Sequence, residues 1–162
     1  MSVGKSKPDG SDLTIKAIEN GTVIDHITPG QAFSVLKILG IDGSFRKTVS
    51  VVINAPGSDG EKDVVKIQNM ELTEKQVAAI SLIAPKATVN IIRDYRVVRK
   101  SRVQIPERVT GIIRCINPNC ISNSKEPVDP SFFVHKNDDG RHYLACRYCE
   151  SIISDDAITH II

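Results

Sequence analysis

Four cysteines in the last third of the chain constrain its folding more than any other feature. They follow the spacing Cys115-x4-Cys120-x25-Cys146-x2-Cys149. Two close pairs separated by a long insert are what a four-thiolate site needs, because each pair sits on one short knuckle. Four sulfurs suit zinc, which is usually tetrahedral in structural sites, with Zn–S near ~2.3 Å. An iron site of rubredoxin type and a set of free or paired cysteines are the alternatives. With all four positions taken by protein, no coordination site is left for water, so the ion is expected to be structural. A unit of about fifty residues rarely folds without such a staple.

The segment between the pairs reads as a hairpin. Ser131 to His135 and His142 to Ala145 are the arms, and Asn137-Asp138-Asp139-Gly140 is the turn. Asn117-Pro118-Asn119 supplies turn residues to the first knuckle. His26, His135, His142 and His160 are scattered, and His135 and His142 read as solvent-facing hairpin residues rather than ligands.

Upstream the pattern changes. Residues 1–12 are a polar arm without apolar period. Leu13 to Ile27 reads as extended, interrupted by the turn signal Asn20-Gly21. Thr28-Pro29-Gly30-Gln31 reads as a helix start with a capping box, and Ala32, Val35, Leu36 and Leu39 give the helical period up to Gly40. Thr48 to Ala55 and Asp63 to Asn69 read as strands joined by the loop Pro56 to Gly60. A second capping box, Thr73 with Gln76, opens a helix whose apolar face is Val77, Ile80, Ile83 and Ala84, stopped by Pro85. Ala87 to Val98 reads as one long final strand. Strand, helix, strand, strand, helix, strand is the split βαβ pattern.

The expected fold is therefore α+β. A ferredoxin-like N-terminal unit, an antiparallel sheet with two helices, spans residues 13–104. A small all-β zinc-binding unit spans 105–162, after a boundary near Ile105-Pro106. Aromatic residues are 4% of the chain and tryptophan is absent, so the cores must be aliphatic.

Charge separates the two parts. Residues 106–162 carry six Lys/Arg and eight Asp/Glu, a net of −2, and the rest carries a net of +4. Lys86 to Arg108 holds seven basic residues against two acidic ones. A polyanion should meet the N-terminal part. Lys66 and Lys100 suit phosphate oxygens and Asp25 suits ribose hydroxyls, although charged strand residues are usually simply solvated. No Walker loop, G-x-G-x-x-G, HExxH or G-x-S-x-G occurs, which favours a binding module over an enzyme. No apolar run approaches the ~20 residues of a membrane span, and residues 1–12 lack an apolar signal region, so the expected compartment is the cytoplasm with no membrane partner. A zinc ribbon binding nucleic acid is the rival class. The acidic zinc unit and the missing aromatic pair on the sheet argue against it.

Several stretches together resemble the aspartate carbamoyltransferase regulatory chain family. They are Ala17-Ile18, Gly21 to Ile27 (GTVIDHI), Lys62-Asp63, Lys66-Ile67, Ala84 to Asn90, Lys100-Ser101-Arg102, Pro106-Glu107-Arg108, Cys115 to Ser122 and Cys146 to Glu150. The likeness runs in order over roughly residues 13–155. It implies a non-catalytic chain whose N-terminal unit binds CTP or ATP and pairs with a second regulatory chain. It also implies a zinc unit docked on the catalytic chain of pyrimidine biosynthesis. On the same resemblance, Lys66 and Lys100 meet the triphosphate and Asp25 meets the ribose. Ile15, Ala17, Ile18, Val23 and His26 form one wall, and Asn90, Ile92, Tyr95 and Val97 the other. Asn117 and Asn119 would face the catalytic chain. The arm is longer than the family leads one to expect, and Lys16 lies in the base-recognition stretch.

Overall fold

The computed structural model describes residues 17–154 and 160–161. The arm, Ile15 and Lys16 lie outside the described residues. Five strands form the first sheet: β1 (Gly21–Ile27), β2 (Val49–Gly57), β3 (Gly60–Gln68), β4 (Thr88–Arg93) and β5 (Arg96–Arg102), in the order β2-β3-β1-β4-β5. Every neighbouring pair is antiparallel. Helices α1 (Ala32–Ile38) and α2 (Glu74–Ile83) pack on one face. Side chains alternate along a strand, so Ile24, Val65, Ile67 and Val89 enter the core under the helices. Their neighbours Val23, Lys66 and Asn90 are turned to the opposite face.

Three expectations need correction. The stretch Ala87 to Val98 is not one strand. It folds back at Asp94 and Tyr95, both with positive φ (50° and 64°), to give β4 and β5. Two left-handed residues make the tight turn whose twist matches a hairpin, but the usual glycine signal is missing here. The segment before β1 holds the turn instead: Tyr95 N–H donates to the Glu19 carbonyl at 3.0 Å and Asp94 N–H to Asn20 Oδ1 at 3.3 Å.

Thr28 does not cap α1. The helix starts at Ala32 with Gln31 at the cap position and no side-chain cap bond. Gly30, at φ 88°, turns the chain first, and the loop amides go to a distant acceptor. Asp63 Oδ2 accepts from Gly30 N–H at 2.9 Å and Ala32 N–H at 3.1 Å. The Thr73–Gln76 capping box of α2 does form, with both reciprocal bonds present.

The expected loop between β2 and β3 is tighter than read. Pairing continues to Gly57↔Gly60, leaving two residues at the turn. At the other end of the sheet Gly21 has φ 146°, and a Cβ there would lie 2.1 Å from the Ile67 carbonyl oxygen, so only glycine fits.

The second sheet is β6 (Arg108–Thr110), β7 (Ser131–Lys136), β8 (His142–Cys146) and β9 (Ile152–Ile153), in that order and antiparallel throughout. The expected hairpin is β7–β8, closed by Gly140 N–H to the Asn137 carbonyl at 3.0 Å. Its core gathers Val109, Ile112, Ile113, Phe132, Leu144 and Ile153 around the cysteines. Ala79 of α2 is buried in this same cluster, with Ala78 and Leu82 packed on it, so α2 has an apolar stripe on each side. No helix among the described residues is long and apolar enough to cross a membrane.

Candidate functional site

The four cysteines converge. All four Sγ atoms lie within 4.8 Å of one another, with Cys115–Cys149 at 3.5 Å and Cys120–Cys146 at 3.7 Å. Four sulfurs about 2.3 Å from one zinc at tetrahedral angles are about 3.8 Å apart, so the donor set fits zinc. Cys115 and Cys120 come from the loop after β6, Cys146 ends β8, and Cys149 sits in the turn before β9. Local bonds shape each knuckle. Cys120 N–H donates to the Asn117 carbonyl at 3.0 Å, and Cys146 N–H to the Ser151 carbonyl at 2.9 Å. Asn123, which sequence reasoning missed, donates from Nδ2 to the carbonyls of Cys115 (2.9 Å) and Asn117 (2.7 Å). It therefore ties the loop behind the first pair of ligands.

Burial pushes the Cys115 thiol up to about 12. The Ser151 hydroxyl, 3.1 Å from Cys149 Sγ, draws that thiol down to about 6. Ligation needs thiolates, so a metal entering this site displaces protons. His135 is exposed and stacks on Tyr143 at 5.2 Å, and neither hairpin histidine belongs to the cluster.

The helix-free face of the first sheet carries the second site. Val23 pairs with Lys66 on one side and Asn90 on the other, and Asn90 pairs with Lys100. These four residues form one row across β3, β1, β4 and β5. Three strand spacings of about 4.8 Å put the two lysine Cα atoms about 14 Å apart. Val23, Asp25, Lys66, Asn90, Ile92, Val97 and Lys100 line one open groove of ≈ 920 Å³, with Val52, Pro56 and Val64, which the sequence did not single out. Its walls are apolar and its charged groups are two ammoniums and one carboxyl. That is a chemistry for a ligand with a flat apolar part and an anionic part.

Asp25 has a partner that sequence reasoning also missed. Lys62 Nζ lies 2.9 Å from Asp25 Oδ1, and the His26 amide donates to the same oxygen at 2.6 Å. Burial alone would raise the Asp25 carboxyl. The Lys62 ammonium and the His26 amide outweigh it and hold the group below the usual carboxylate value. The signal for Lys62 was in the sequence: it stands four residues before Lys66 on one strand, hence on the same face.

The remaining expected wall residues are more scattered. His26 lines a neighbouring cavity of ≈ 550 Å³ with Lys62, Lys86, Thr88 and Arg102, and its Nδ1 is 3.2 Å from Thr88 Oγ1. Ile18 is buried, Ala17 is exposed before β1, and Tyr95 is 64% exposed in the β4–β5 turn. In the first knuckle Asn119 is exposed. Asn117 is half-buried, and its Oδ1 accepts the Asn119 amide at 3.0 Å. Ile116 and Ile121 beside them are 45% and 46% exposed.

Comparison with known proteins agrees over both sheets. A family model described as the aspartate carbamoyltransferase regulatory chain, allosteric domain, matches residues 13–104. A second, described as the metal binding domain of the same chain, matches 107–159. Aspartate carbamoyltransferase regulatory chains of Methanosarcina barkeri and Methanococcoides burtonii are 54% and 55% identical over 151 residues. These alignments span 93% of this chain and 97% and 94% of the relatives. That of Haloarcula marismortui is 52% identical over the same share of this chain and 94% of its own length. A four-cysteine cluster in the segment matched as metal-binding, a grooved sheet in the segment matched as allosteric, and relatives named as regulatory rather than catalytic chains lead to one conclusion: this chain belongs to the aspartate carbamoyltransferase regulatory chain family.

Proposed function

We propose that the groove on the helix-free face binds nucleoside triphosphates, with CTP and ATP competing for it. The row Lys66–Val23–Asn90–Lys100 carries this reading. Two inward-reaching ammoniums on a rigid sheet suit a polyphosphate, and Asp25 stands one turn of the pleat away for ribose hydroxyls. Val23, Ile92 and Val97 give the base an apolar seat. Ile15, Ala17, Ile18, His26 and Tyr95 complete the walls in this reading. The allosteric unit spans residues 13–104 and the docking unit 105–162, the latter folded on one structural zinc held by the four cysteines.

A regulatory chain works with a catalytic chain. The proposed docking face holds Asn117 and Asn119, flanked by the exposed Ile116 and Ile121. Two regulatory chains pair through their allosteric units. The edge strand β5, exposed along its length and carrying Val97 and Val98, supports such pairing. Each nucleotide shifts the assembly by its differential affinity for two quaternary states, a coupling typically of ~1–3 kcal/mol. The direct test is competition calorimetry on the full chain. CTP should titrate to one site per chain, and saturating ATP should raise its apparent Kd. CTP binding that ignores ATP, or no binding, would overturn the reading.

A further inference from the structure

Asp63 is fully buried, yet none of the functional residues above includes it. Its two oxygens accept three backbone N–H groups. Oδ2 takes Gly30 and Ala32, and Oδ1 takes Asn54 at 3.0 Å. One carboxyl group thus ties β3 to the loop after β1 and to β2.

Both neighbouring strands are irregular beside it. In β1 the register passes from Ile24↔Val65 to Ile27↔Asp63, so Asp25 and His26 together stand against one residue of β3. In β2 it passes from Val52↔Val64 to Ala55↔Lys62, so Ile53 and Asn54 stand against Asp63. His26 and Asn54, one in each irregularity, have φ of 55° and 58°. These are paired β-bulges on the two sides of β3, and bulges re-aim side chains.

The β1 bulge sets the backbone of His26 against the Asp25 side chain. Regular alternation after the buried Ile24 would turn Asp25 out, His26 in and Ile27 out. The extra residue keeps Asp25 out, frees His26 from the core, and returns Ile27 to full burial. It also brings the His26 amide to within 2.6 Å of Asp25 Oδ1. The register after the bulge restarts at the Ile27↔Asp63 pair, and the loop that follows is fastened to the Asp63 side chain.

We infer that Asp63 is a positioning residue for the ligand groove: by fastening the loop behind the β1 bulge and Asn54 within the β2 bulge it fixes the direction in which Asp25 meets the sugar of a nucleotide. The inference rests on the nucleotide reading above. Asp63→Asn keeps the shape but turns one acceptor into a donor, so Oδ1 or Oδ2 loses its amide partner. The aim of Asp25 then relaxes while the row of Lys66 and Lys100 stays.

The experiment measures binding of CTP and of inorganic tripolyphosphate, which has no ribose, to the full chain by calorimetry. Asp63→Asn should weaken CTP roughly tenfold, the worth of one hydrogen bond to a charged group, and leave tripolyphosphate unchanged. In an Asp25→Ala background the same change should have no further effect on CTP. Equal loss for both ligands would mean a structural role only and overturn the inference. CTP affinity unchanged in Asp63→Asn while Asp25→Ala weakens it would also overturn it, leaving the nucleotide reading intact. CTP affinity unchanged in Asp25→Ala would remove the ribose contact and this inference together. If the Asn variant fails to fold, Asp63→Glu carries the same comparison, since it keeps both acceptors and displaces them by one methylene.

Discussion

Replacing Lys66 and Lys100 together by alanine removes both ammoniums from the row across the first sheet. The change is confined to the open face, because the core lies under the helices on the other side. A hydrogen bond to a charged group contributes roughly 1.5–3 kcal/mol. Lys66 is half-buried and Lys100 exposed, so solvent screening places both at or below the lower end. At about 1.4 kcal/mol each, every lysine is worth about tenfold in affinity and the pair about a hundredfold. The two are about 14 Å apart at Cα and act on one polyanion, so the loss should also shrink at high salt. Calorimetry of CTP with the wild-type chain, both single variants and the double variant, at low and physiological ionic strength, reads all of this. A double variant that binds CTP within about twofold of wild type would refute the reasoning, since two direct phosphate contacts cannot vanish for less than ~0.4 kcal/mol. A full effect that is indifferent to salt would refute its electrostatic part.

Cys146→Ser should abolish stoichiometric metal, read by elemental analysis. Stripping the metal with a mercurial should likewise stop co-elution with the catalytic chain on a sizing column. Thr73→Ala removes the hydroxyl that accepts the Gln76 N–H, one arm of the α2 capping box, and should cost about 1 kcal/mol in urea unfolding, with nucleotide affinity kept. Gly21→Ala forces a Cβ against the Ile67 carbonyl and should destabilise by at least ~2 kcal/mol, seen as a lower urea midpoint. Asp25 has a folded value below its unfolded one, so its contribution is complete above the ordinary carboxylate range and is lost as pH falls through the folded value. Lys62→Met should therefore reduce the urea midpoint at neutral pH and flatten its decline in acid. A variant curve parallel to the wild type would count against the pair.

Much of this was legible in residues whose meaning is local. The cysteine spacing, the Thr73–Gln76 box and the β7–β8 turn each specify their own geometry, and each is found in the structure. Elements decided by distant partners were not legible. Thr28-x-x-Gln31 has the same letters as the true box, but Gly30 turns away and Asp63, thirty-three residues from Gly30, accepts the amides instead. The hairpin at Asp94-Tyr95 carries no glycine, because Glu19 and Asn20 hold it from outside. The same holds in the groove. Lys66, Asn90 and Lys100 could be chosen by type, and Val64 shares their face by alternation along β3, but Val52 enters through its pairing with Val64, and Pro56 lies beyond a β2 bulge that no periodicity announces.

Helix α2 shows how the two sheets share one body. Val77, Ile80, Ile83 and Ala84 recur at helical spacing and enter the core of the first sheet. Ala78, Ala79 and Leu82 recur at the same spacing, turned roughly one residue around the axis, and enter the core that surrounds the cysteines. A helix with apolar stripes on both sides is a buried wall between layers, not a surface helix. Small residues dominate the second stripe, so the backbone itself comes close to the cysteine-bearing core. Close-packed interiors do not absorb displacement, and a shift of α2 against one core must be met by repacking in the other. The core beneath the groove-bearing sheet and the core around the cysteines are therefore joined through a ten-residue element that belongs to both hydrophobic clusters, rather than through the chain connection at 103–107 alone.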